Sequence, residues 1–435
     1  MPWNNEFECM PIDTLKKFQL EKLKETVEWV TSHVPFYKRK FQEKGITAED
    51  IRNIEDISGL PFTVKNDLRD NYPFGICAVP ARESARIHTS SGTTGKPVTT
   101  TYTEQDIDAL TECVARGLWA YGVRKDDIVQ NAYGYGLFTG GLGLHQGISR
   151  IGATVLPIST GSTELQVNLM KDFQSTVLCS TPSYALTIAE EAMAMGIDIK
   201  ELPLKIGVFG AEPWCEKIRR AIEDRMGIKA MDIFGLTEMG GPGMAYECRF
   251  QNGSHINEDH YLAEIVDPAT LEPLPFGEKG ELVLTSLQRR AMPLIRYRTK
   301  DITRLSGEDC PCGRTFVKME KISGRTDDML IINGVNVFPS QIESFLLDIR
   351  EVDPQYRLIV QKRGYLDKLT VQVEAKKEVY AQGMVKKYEV EAEIMAHIKG
   401  TLGIRVNVDL VEPGSIARSQ GKAIRVVDER PDQFR

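Results

Sequence analysis

The feature that most constrains this 435-residue chain is a regular alternation of short apolar runs and longer amphipathic segments between about residues 105 and 235. The apolar runs have the length and bounding turns of buried strands: 127–131, 153–156, 176–179, 205–209 and 230–234. The segments between them, such as 183–195 and 214–226, have helical periodicity. Strand–helix alternation predicts a largely parallel sheet covered by helices on both faces.

Two other segments flank this region. Residues 13–45 have apolar positions at helical spacing and are predicted as one amphipathic helix that packs on the main core. Between about 244 and 323, apolar runs at 262–266, 281–286 and 301–305 are joined by Pro/Gly turns. This second pattern predicts a smaller β-rich subdomain.

The pattern changes again after Gly324. Asn333-Gly334 lies between two apolar runs, which is a strong hairpin signal because both residues tolerate positive φ. Ser340 and Glu343 have capping-box spacing ahead of a predicted helix at 342–349. The remaining predicted elements are strands at 357–361, 369–374 and 406–410 and a helix at 385–402.

The predicted fold class is therefore α/β with two domains. A large N-terminal domain, residues 1–324, is expected to combine a doubly wound, mostly parallel sheet with the β-rich subdomain. A small α+β domain is expected over residues 325–435.

Composition excludes several classes of function. The formal net charge is −7 and the pI about 5.6, which argues against nucleic acid as a partner. No run of about 18 apolar residues predicts a membrane span, and the first twenty residues lack a signal-peptide layout. Eight cysteines in so long a chain do not indicate a disulfide framework, so a reducing, cytoplasmic setting is expected. The sequence does not determine the oligomeric state, and a homodimer stays open.

A glycine- and hydroxyl-rich loop carries the first chemical signal. Its residues combine close backbone approach, hydroxyl donors and one cation: Ser91, Gly92, Thr93, Thr94, Gly95 and Lys96. This composition is typical of a loop that cradles phosphate groups. It is not a Walker loop, because Pro97 follows the lysine where a Walker loop has Ser or Thr. The alternative interpretation is a flexible polar linker.

This loop resembles the phosphate loop of the adenylate-forming superfamily, which includes acyl-CoA ligases, luciferases and peptide-synthetase adenylation domains. Four more segments resemble that superfamily's motifs in order: 234–238 (adenine and magnesium), 297–301 (ribose), 324–328 (hinge) and 419–422 (lysine). Within the superfamily, residues 131–141 and 334–339 are most similar to the phenylacetate–CoA ligase family.

The resemblance implies an ATP- and Mg²⁺-dependent enzyme. It would activate a small carboxylic acid as an acyl-adenylate, pass the acyl group to coenzyme A, and release AMP and pyrophosphate. Two alternatives stay open. The acyl group could go to a carrier protein or an amine, or the chain could be a non-catalytic nucleotide-binding relative. The presence of Glu238, Asp301 and Lys422 argues against the second.

The motifs assign roles to residues. Lys422, Glu238 and Thr237 are the predicted catalytic residues, with Glu238 also the Mg²⁺ ligand. Besides the phosphate loop, the predicted ATP- and AMP-binding residues are Gly210, Ala211, Glu212, Pro213, Asp232, Ile233, Phe234, Gly235, Thr237, Asp301, Arg325 and Lys422. The predicted hinge is Asp327, and the predicted tunnel for coenzyme A is lined by Gly334, Val335 and Asn336.

The acid site is predicted from aromatic and small residues. Tyr133 and Phe138 could form aromatic walls, and Ala211, Gly241 and Pro242 leave room for a flat ring. An aryl-acetic acid such as phenylacetate is therefore expected. The alternative is that these aromatics are ordinary core residues.

A separate set of residues indicates a metal site. Cys248, His255, Cys310 and Cys312 form a complete tetrahedral zinc set, with Pro311 between the last two. Because the protein supplies all four ligands, such a zinc would be structural. The alternative is unrelated free thiols, since Cys248 lies sixty-odd residues upstream.

Overall fold

The computed structural model describes residues 1–90, 97–328, 330–333, 335–363, 366–418 and 425–430. The α-helices are α1 Asn5–Glu8, α2 Ile12–His33, α3 Pro35–Lys44, α4 Lys65–Asp70, α5 Glu104–Tyr121, α6 Thr139–Ile151, α7 Thr163–Asp172, α8 Pro182–Ala194, α9 Glu216–Met226, α10 Pro339–Leu346, α11 Lys377–Tyr380 and α12 Met384–Leu402. None of the helices in these ranges is long and apolar enough to span a membrane.

The strands form one large sheet and three small ones. Their bounds are β1 Arg86–Thr89, β2 Thr99–Tyr102, β3 Ile128–Asn131, β4 Thr154–Leu156, β5 Val177–Ser180, β6 Ile206–Gly210, β7 Lys229–Leu236, β8 Gly241–Glu247, β9 Ser254–Ile256, β10 Tyr261–Val266, β11 Lys279–Ser286, β12 Tyr297–Ser306, β13 Lys318–Met319, β14 Gly324–Arg325, β15 Leu330–Ile332, β16 Val335–Val337, β17 Val352–Arg363, β18 Leu366–Ala375, β19 Asn407–Val411 and β20 Val426–Asp428.

The parallel part of the large sheet has the order β7-β6-β5-β3-β4. All five predicted strands are present in it. The chain runs outward from β3 to β4 and then returns to the other side of β3 as β5. Such a reversal of direction creates a crevice at the carboxyl ends of the strands, where ligands bind in open α/β sheets.

The β-rich region continues this sheet directly. β8 pairs antiparallel with β7, and the order then runs through β9, β13, β12, β11 and β10. The prediction of a separate subdomain missed this continuity, because local patterns do not specify which strands pair. The mixed α/β class is confirmed.

The predicted single helix at 13–45 was wrong. The structure has two helices, α2 and α3, separated by Val34, whose backbone is extended (φ −114°, ψ 105°). Pro35 occupies the first position of α3, because a proline fits a helix start but disfavours helical backbone in the residue before it. The pair still packs on the main core through buried residues that include Leu23, Val27 and Phe41.

The C-terminal region has its own sheet, β19-β18-β17-β20, covered by α10 and α12. Its hydrophobic core is drawn from residues 330–410 alone. The capping box predicted at Ser340 and Glu343 is not formed. Instead Phe338 caps α10 and donates its N–H to the Gln341 side chain at 3.0 Å, while the Ser340 hydroxyl donates to the Ser323 carbonyl at 2.5 Å.

Candidate active site

The loops that follow four parallel strands meet at one edge of the sheet. β3 ends at Asn131, β5 at Ser180, β6 at Gly210 and β7 at Leu236, and these strands are neighbours in parallel register. Of the predicted residues, Tyr133 follows β3, residues 211–213 follow β6, and Thr237 and Glu238 follow β7. The fold therefore places the predicted adenine, magnesium and acid residues around one crevice.

The loop after β6 is tightly constrained. A Cβ atom on Gly210 would lie 2.2 Å from the Ile233 carbonyl oxygen, so only glycine fits there. Ala211 has a φ of +69°, a conformation that non-glycine residues rarely adopt. The Glu212 carboxylate accepts a hydrogen bond from the Ser183 backbone N–H at 2.7 Å. This hydrogen bond joins the start of α8, which follows β5, to the loop after β6.

A narrow turn joins β7 and β8. A Cβ on Gly235 would lie 2.0 Å from the Gly241 carbonyl oxygen, and Gly241 itself has a φ of +115°. This close approach brings Thr237 and Glu238 to the tip of the turn, above the crevice. Pro242 pairs with Gly235 across the two strands.

Glu238 is buried, with 6% of its surface exposed. Among the described residues, the single polar contact of its carboxylate is Lys65, whose Nζ lies 3.5 Å from Oε1. Its backbone carbonyl accepts a hydrogen bond from the buried Arg289 guanidinium at 2.7 Å. Arg289 also donates to the Thr101 carbonyl at 3.1 Å, which fastens the turn to β2.

Asp301 and Arg325 face one another on β12 and β14. The Arg325 Nη1 donates to Asp301 Oδ1 at 2.7 Å, and its Nε and Nη2 donate to both oxygens of Asp327 at 2.9 and 3.1 Å. Asp301 Oδ2 is buried without a hydrogen-bond partner among the described residues. Burial raises the pKa of Asp301 to about 6, although Arg325 opposes this shift.

The charges of Glu238, Arg325 and Asp301 all act on Tyr297, the first residue of β12, and burial raises the pKa of its hydroxyl.

Asp232 lies within β7, before the turn that carries Thr237 and Glu238. Its carboxylate accepts a hydrogen bond from the Trp214 indole N–H at 3.0 Å. Burial raises its pKa, and the positive charge of Lys321 lowers it. The Asp232 carboxylate therefore binds the loop after β6. The next two residues, Ile233 and Phe234, continue β7.

The aromatic residues after β3 differ in burial. Tyr133 is buried, with its hydroxyl beside the Gly210 backbone. Tyr135 accepts a hydrogen bond from Asn131 Nδ2 at 2.7 Å and lies 3.2 Å from His145 Nδ1. Phe138 is 50% exposed at the start of α6, so it does not form a buried wall in this conformation.

A cavity of about 400 Å³ separates the large region from the C-terminal one. Its lining includes Ser183, Glu212, Arg325 and Asp327 on one side and Tyr356 and Arg425 on the other. The loops at the sheet edge therefore open toward the C-terminal region.

Several predicted residues lie outside the described ranges. They are Ser91, Gly92, Thr93, Thr94, Gly95, Lys96, Gly334 and Lys422. Of the other two predicted tunnel residues, Val335 packs against the C-terminal core and Asn336 pairs with Ile331 in the β15–β16 hairpin.

The predicted metal ligands are brought together. The ligand atoms of Cys248, His255, Cys310 and Cys312 all lie within 4.8 Å of one another. The Cys248 and Cys310 sulfurs are 3.6 Å apart, and Cys312 Sγ is 3.4 Å from His255 Nε2. Tetrahedral zinc with bonds of about 2.3 Å to sulfur places its sulfurs about 3.8 Å apart. These spacings fit a zinc ion.

The surroundings of this cluster support the same conclusion. His255 Nδ1 lies 3.1 Å from the Phe316 carbonyl, which leaves Nε2 as the ligand atom. A hydrogen bond from Cys248 lowers the pKa of Cys312 to about 2, against the opposing effect of burial. Cys248 follows one end of β8, and the Gly241 turn lies at the other end.

Sequence reasoning missed two residues of the site, Lys65 and Arg289. Both contact Glu238, yet neither lies in a motif or near Glu238 in the chain. No local signal distinguishes them from other cations, because only the folded chain brings them to the turn.

Comparison with known proteins identifies the family. Residues 17–288 match the AMP-binding enzyme family, and residues 334–430 match the AMP-binding enzyme C-terminal domain. The fold and these matches therefore define an α/β enzyme. The chain belongs to the AMP-binding enzyme family, and the predicted resemblance is confirmed.

Individual relatives are similar over their full lengths. The chain is 48% identical to a phenylacetate-coenzyme A ligase of Thermus thermophilus, over 99% of this chain and 100% of that protein. It also matches a solved structure of 2-hydroxyisobutyryl-CoA ligase in the postadenylation state, with a TM-score of 0.93 and 30% identity over 100% of this chain and 93% of the other.

The same ligase has been solved with coenzyme A in the thioesterification state. That structure gives a TM-score of 0.74 at 31% identity, over 99% of this chain and 92% of the other. The coverage is nearly the same, so the present structure is more similar overall to the postadenylation structure of that ligase than to its thioesterification structure.

Proposed function

We propose that the protein ligates an aryl-acetic acid, phenylacetate or a close analogue, to coenzyme A through an acyl-adenylate. ATP is consumed, and AMP and pyrophosphate are released. The observation that carries this proposal is the 48% identity to a phenylacetate-coenzyme A ligase over both full lengths. The buried carboxylates of Glu238 and Asp301, and the Arg325 guanidinium bound to Asp301, support it.

The first half-reaction activates the acid. A carboxylate oxygen attacks the α-phosphorus of ATP, the bond to the β-phosphate breaks, and its electron pair leaves with pyrophosphate. Asp301 accepts hydrogen bonds from the ribose hydroxyls through its buried, unpartnered Oδ2, and Arg325 fixes the other oxygen. Residues 210–213 and 232–235 surround the adenine, and Thr237 holds the α-phosphate.

Glu238 provides a buried carboxylate that suits Mg²⁺, which usually binds through one or two carboxylates plus substrate phosphates. When bound, Mg²⁺ supplies positive charge to the phosphate oxygens. Lys422, which lies outside the described residues, remains the predicted bridge between the attacking carboxylate and the α-phosphate.

The second half-reaction transfers the acyl group to the thiol of coenzyme A. We assign the domain boundary to residues 324–325, with rotation about Asp327. The rotation would withdraw Lys422 and bring the hairpin of Gly334, Val335 and Asn336 to the thiol path. Two observations support such a rotation. The TM-score is higher for the postadenylation structure of the related ligase than for its thioesterification structure. The C-terminal region also has its own hydrophobic core, so it can move as a unit.

The acid is placed between the loops after β3, β6 and β7. Tyr133 is buried beside the Gly210 backbone, and Ala211, Gly241 and Pro242 add no bulk. Phe138 is exposed here, so a role against the ring requires it to turn inward when the acid binds.

Cys248, His255, Cys310 and Cys312 hold a structural zinc in this proposal. The spacing of their ligand atoms supports it, and the closed set of four protein ligands leaves no position for substrate. None of the eight cysteines, all of which lie in the described ranges, forms a disulfide, which supports a reducing, cytoplasmic location. A homodimer stays a prediction.

The function is tested by measuring pyrophosphate release from ATP over a set of acids, with and without coenzyme A. The test acids are phenylacetate, indoleacetate, benzoate and hexanoate. Together they distinguish recognition of an aromatic ring from recognition of an alkyl chain. We expect the highest kcat/KM for an aryl-acetate and AMP release that depends on coenzyme A. A clear preference for hexanoate would contradict the acid assignment. Turnover that ignores coenzyme A would favour a different acceptor.

A further inference from the structure

The contact between Lys65 and Glu238 is unusual for an ion pair. The Glu238 side chain is 8% exposed and the Lys65 side chain 37% exposed, and their charged atoms are 3.5 Å apart. Exposed pairs of this geometry contribute about 0–1 kcal/mol to stability. Glu238 is not exposed, however, and a single cation at this distance only partly compensates a buried carboxylate for the water it has lost.

The position of Lys65 is nevertheless fixed by its neighbours. Thr63 is fully buried, donates its N–H to the Arg296 carbonyl at 3.0 Å, and accepts from the Arg298 N–H at 2.9 Å. Lys40 holds Asp67, two residues after Lys65, at 2.8 Å. The N-terminal segment is thus joined to the start of β12, the strand that also carries Asp301.

Lys65 therefore projects a flexible, partly solvated ammonium over the carboxylate that is proposed to hold Mg²⁺. Mg²⁺ bound there would replace Lys65 as the partner of Glu238. The freed ammonium would lie beside the phosphate oxygens that share the ion. A lysine binds phosphate as a compact point charge, without the planar geometry that arginine requires.

Resting on the proposed function, we infer that Lys65 is a further catalytic residue of the adenylation step. Its ammonium binds the β- and γ-phosphates of ATP and stabilises the negative charge that grows on pyrophosphate as the bond to the α-phosphorus breaks. No proton or electron is exchanged with the lysine. Since the second half-reaction involves no pyrophosphate, Lys65 has no part in it.

The test compares three variants in separate half-reactions. Lys65→Met removes the charge and keeps the length, Lys65→Arg keeps a charge, and Lys40→Met loosens the same segment without touching the site. We expect Lys65→Met to lower acid-dependent pyrophosphate release by about 100-fold to 1,000-fold, the usual effect of one transition-state donor. Lys65→Arg should keep part of the wild-type rate of pyrophosphate release, and Lys40→Met should keep nearly all of it.

Two further measurements separate catalysis from structure. Lys65→Met should form the CoA thioester from chemically made phenylacetyl-adenylate at the wild-type rate, and it should bind magnesium pyrophosphate more weakly in calorimetry. Equal losses in both half-reactions, or unchanged pyrophosphate release, would overturn the inference. Failure of the wild-type protein to release pyrophosphate with any acid would instead overturn the proposed function.

Discussion

Two groups of buried ionisable residues lie at opposite ends of β8, and they are built on opposite principles. The candidate metal cluster places four ligand atoms within 4.8 Å of one another, one from β9 and three from loops beside the antiparallel strands. The candidate nucleotide site leaves Asp301 Oδ2 unpartnered and pairs Glu238 with a single lysine among the described residues. In the proposed function, one cation completes the first set and substrate completes the second.

The difference also concerns mobility. The cluster belongs to the large region alone, so rotation of the C-terminal region leaves it intact. The nucleotide site shares a cavity with that region and is joined to it by Arg325 and Asp327. We therefore expect the closed polar set to serve stability, and the open set between the two regions to serve the two stages of the proposed reaction.

The largest effect is expected from a substitution in the candidate metal cluster. Structural zinc binds zinc-finger peptides with about 10–16 kcal/mol, and part of that free energy should appear here as resistance to unfolding. Cys310→Ser should lose the metal and lower the Tm more than any other single substitution proposed for this protein. The protein should contain one zinc per chain by metal analysis.

The control is Cys215→Ser, which alters a half-buried thiol outside the cluster. It should keep both metal and Tm. Metal-free wild-type protein with the same Tm as the metal-loaded protein would refute the zinc site.

The next largest effect is expected at the candidate nucleotide site, in the first of the two half-reactions. Lys422→Ala should slow acyl-adenylate formation by about 2.7–4 kcal/mol in barrier height, because the lysine acts in the transition state. ATP affinity should change little, and thioester formation from supplied adenylate should be preserved. Equal loss in both half-reactions would mean that the domains do not alternate.

Removing the unpartnered acceptor should weaken nucleotide binding by a smaller amount. Hydrogen bonds to charged groups contribute about 1.5–3 kcal/mol, so Asp301→Asn should raise the Kd of AMP accordingly. Calorimetric titration of AMP measures this, with Asp267→Asn as a control on an exposed turn. An unchanged Kd would remove Asp301 from the ribose site.

The same carboxyl predicts two opposite pH effects. Because burial raises the pKa of Asp301 to about 6, AMP binding should weaken about tenfold for each pH unit below 6. The folded protein binds this proton more tightly than the unfolded chain does. Without nucleotide, the contribution of Asp301 to the free energy of unfolding should therefore increase as the pH falls from about 6 toward 4.

Both effects should disappear in Asp301→Asn, which is the control. Titrations of AMP and denaturant unfolding curves between pH 4 and 8 measure them. The same pH dependence in the variant would assign it to other groups.

The smallest effect concerns the ion pairs between the regions. Arg225 Nη2 lies 3.7 Å from Asp353, and Arg418 Nη2 lies 3.6 Å from Glu190. Each partly exposed pair should favour the present arrangement by about 0.2–1 kcal/mol. Arg225→Ala should shift solution scattering toward the other arrangement, and high salt should do the same to the wild type. Lys16→Ala, which removes an exposed pair within the large region, should have no such effect.

Much of the fold followed from local pattern. The five parallel strands, the β15–β16 hairpin and the long helix α12 were predicted because strand and helix periodicity depend on neighbouring residues alone. The break at Val34 was also available in the sequence, since Pro35 marks it. The pairing of β7 with β8 was not, because strand pairing depends on residues distant in the chain.

The sequence by itself determined the chemistry: which residues could hold phosphate, ribose and metal, and that a carboxylate such as Glu238 follows a buried strand. Residue type and order carry this information directly. Only the tertiary structure decided which charges meet. It placed Lys65 and Arg289 on Glu238, paired Asp301 with Arg325, and left Phe138 exposed. Such contacts depend on how separate elements pack, and no spacing along the chain encodes the distance between them.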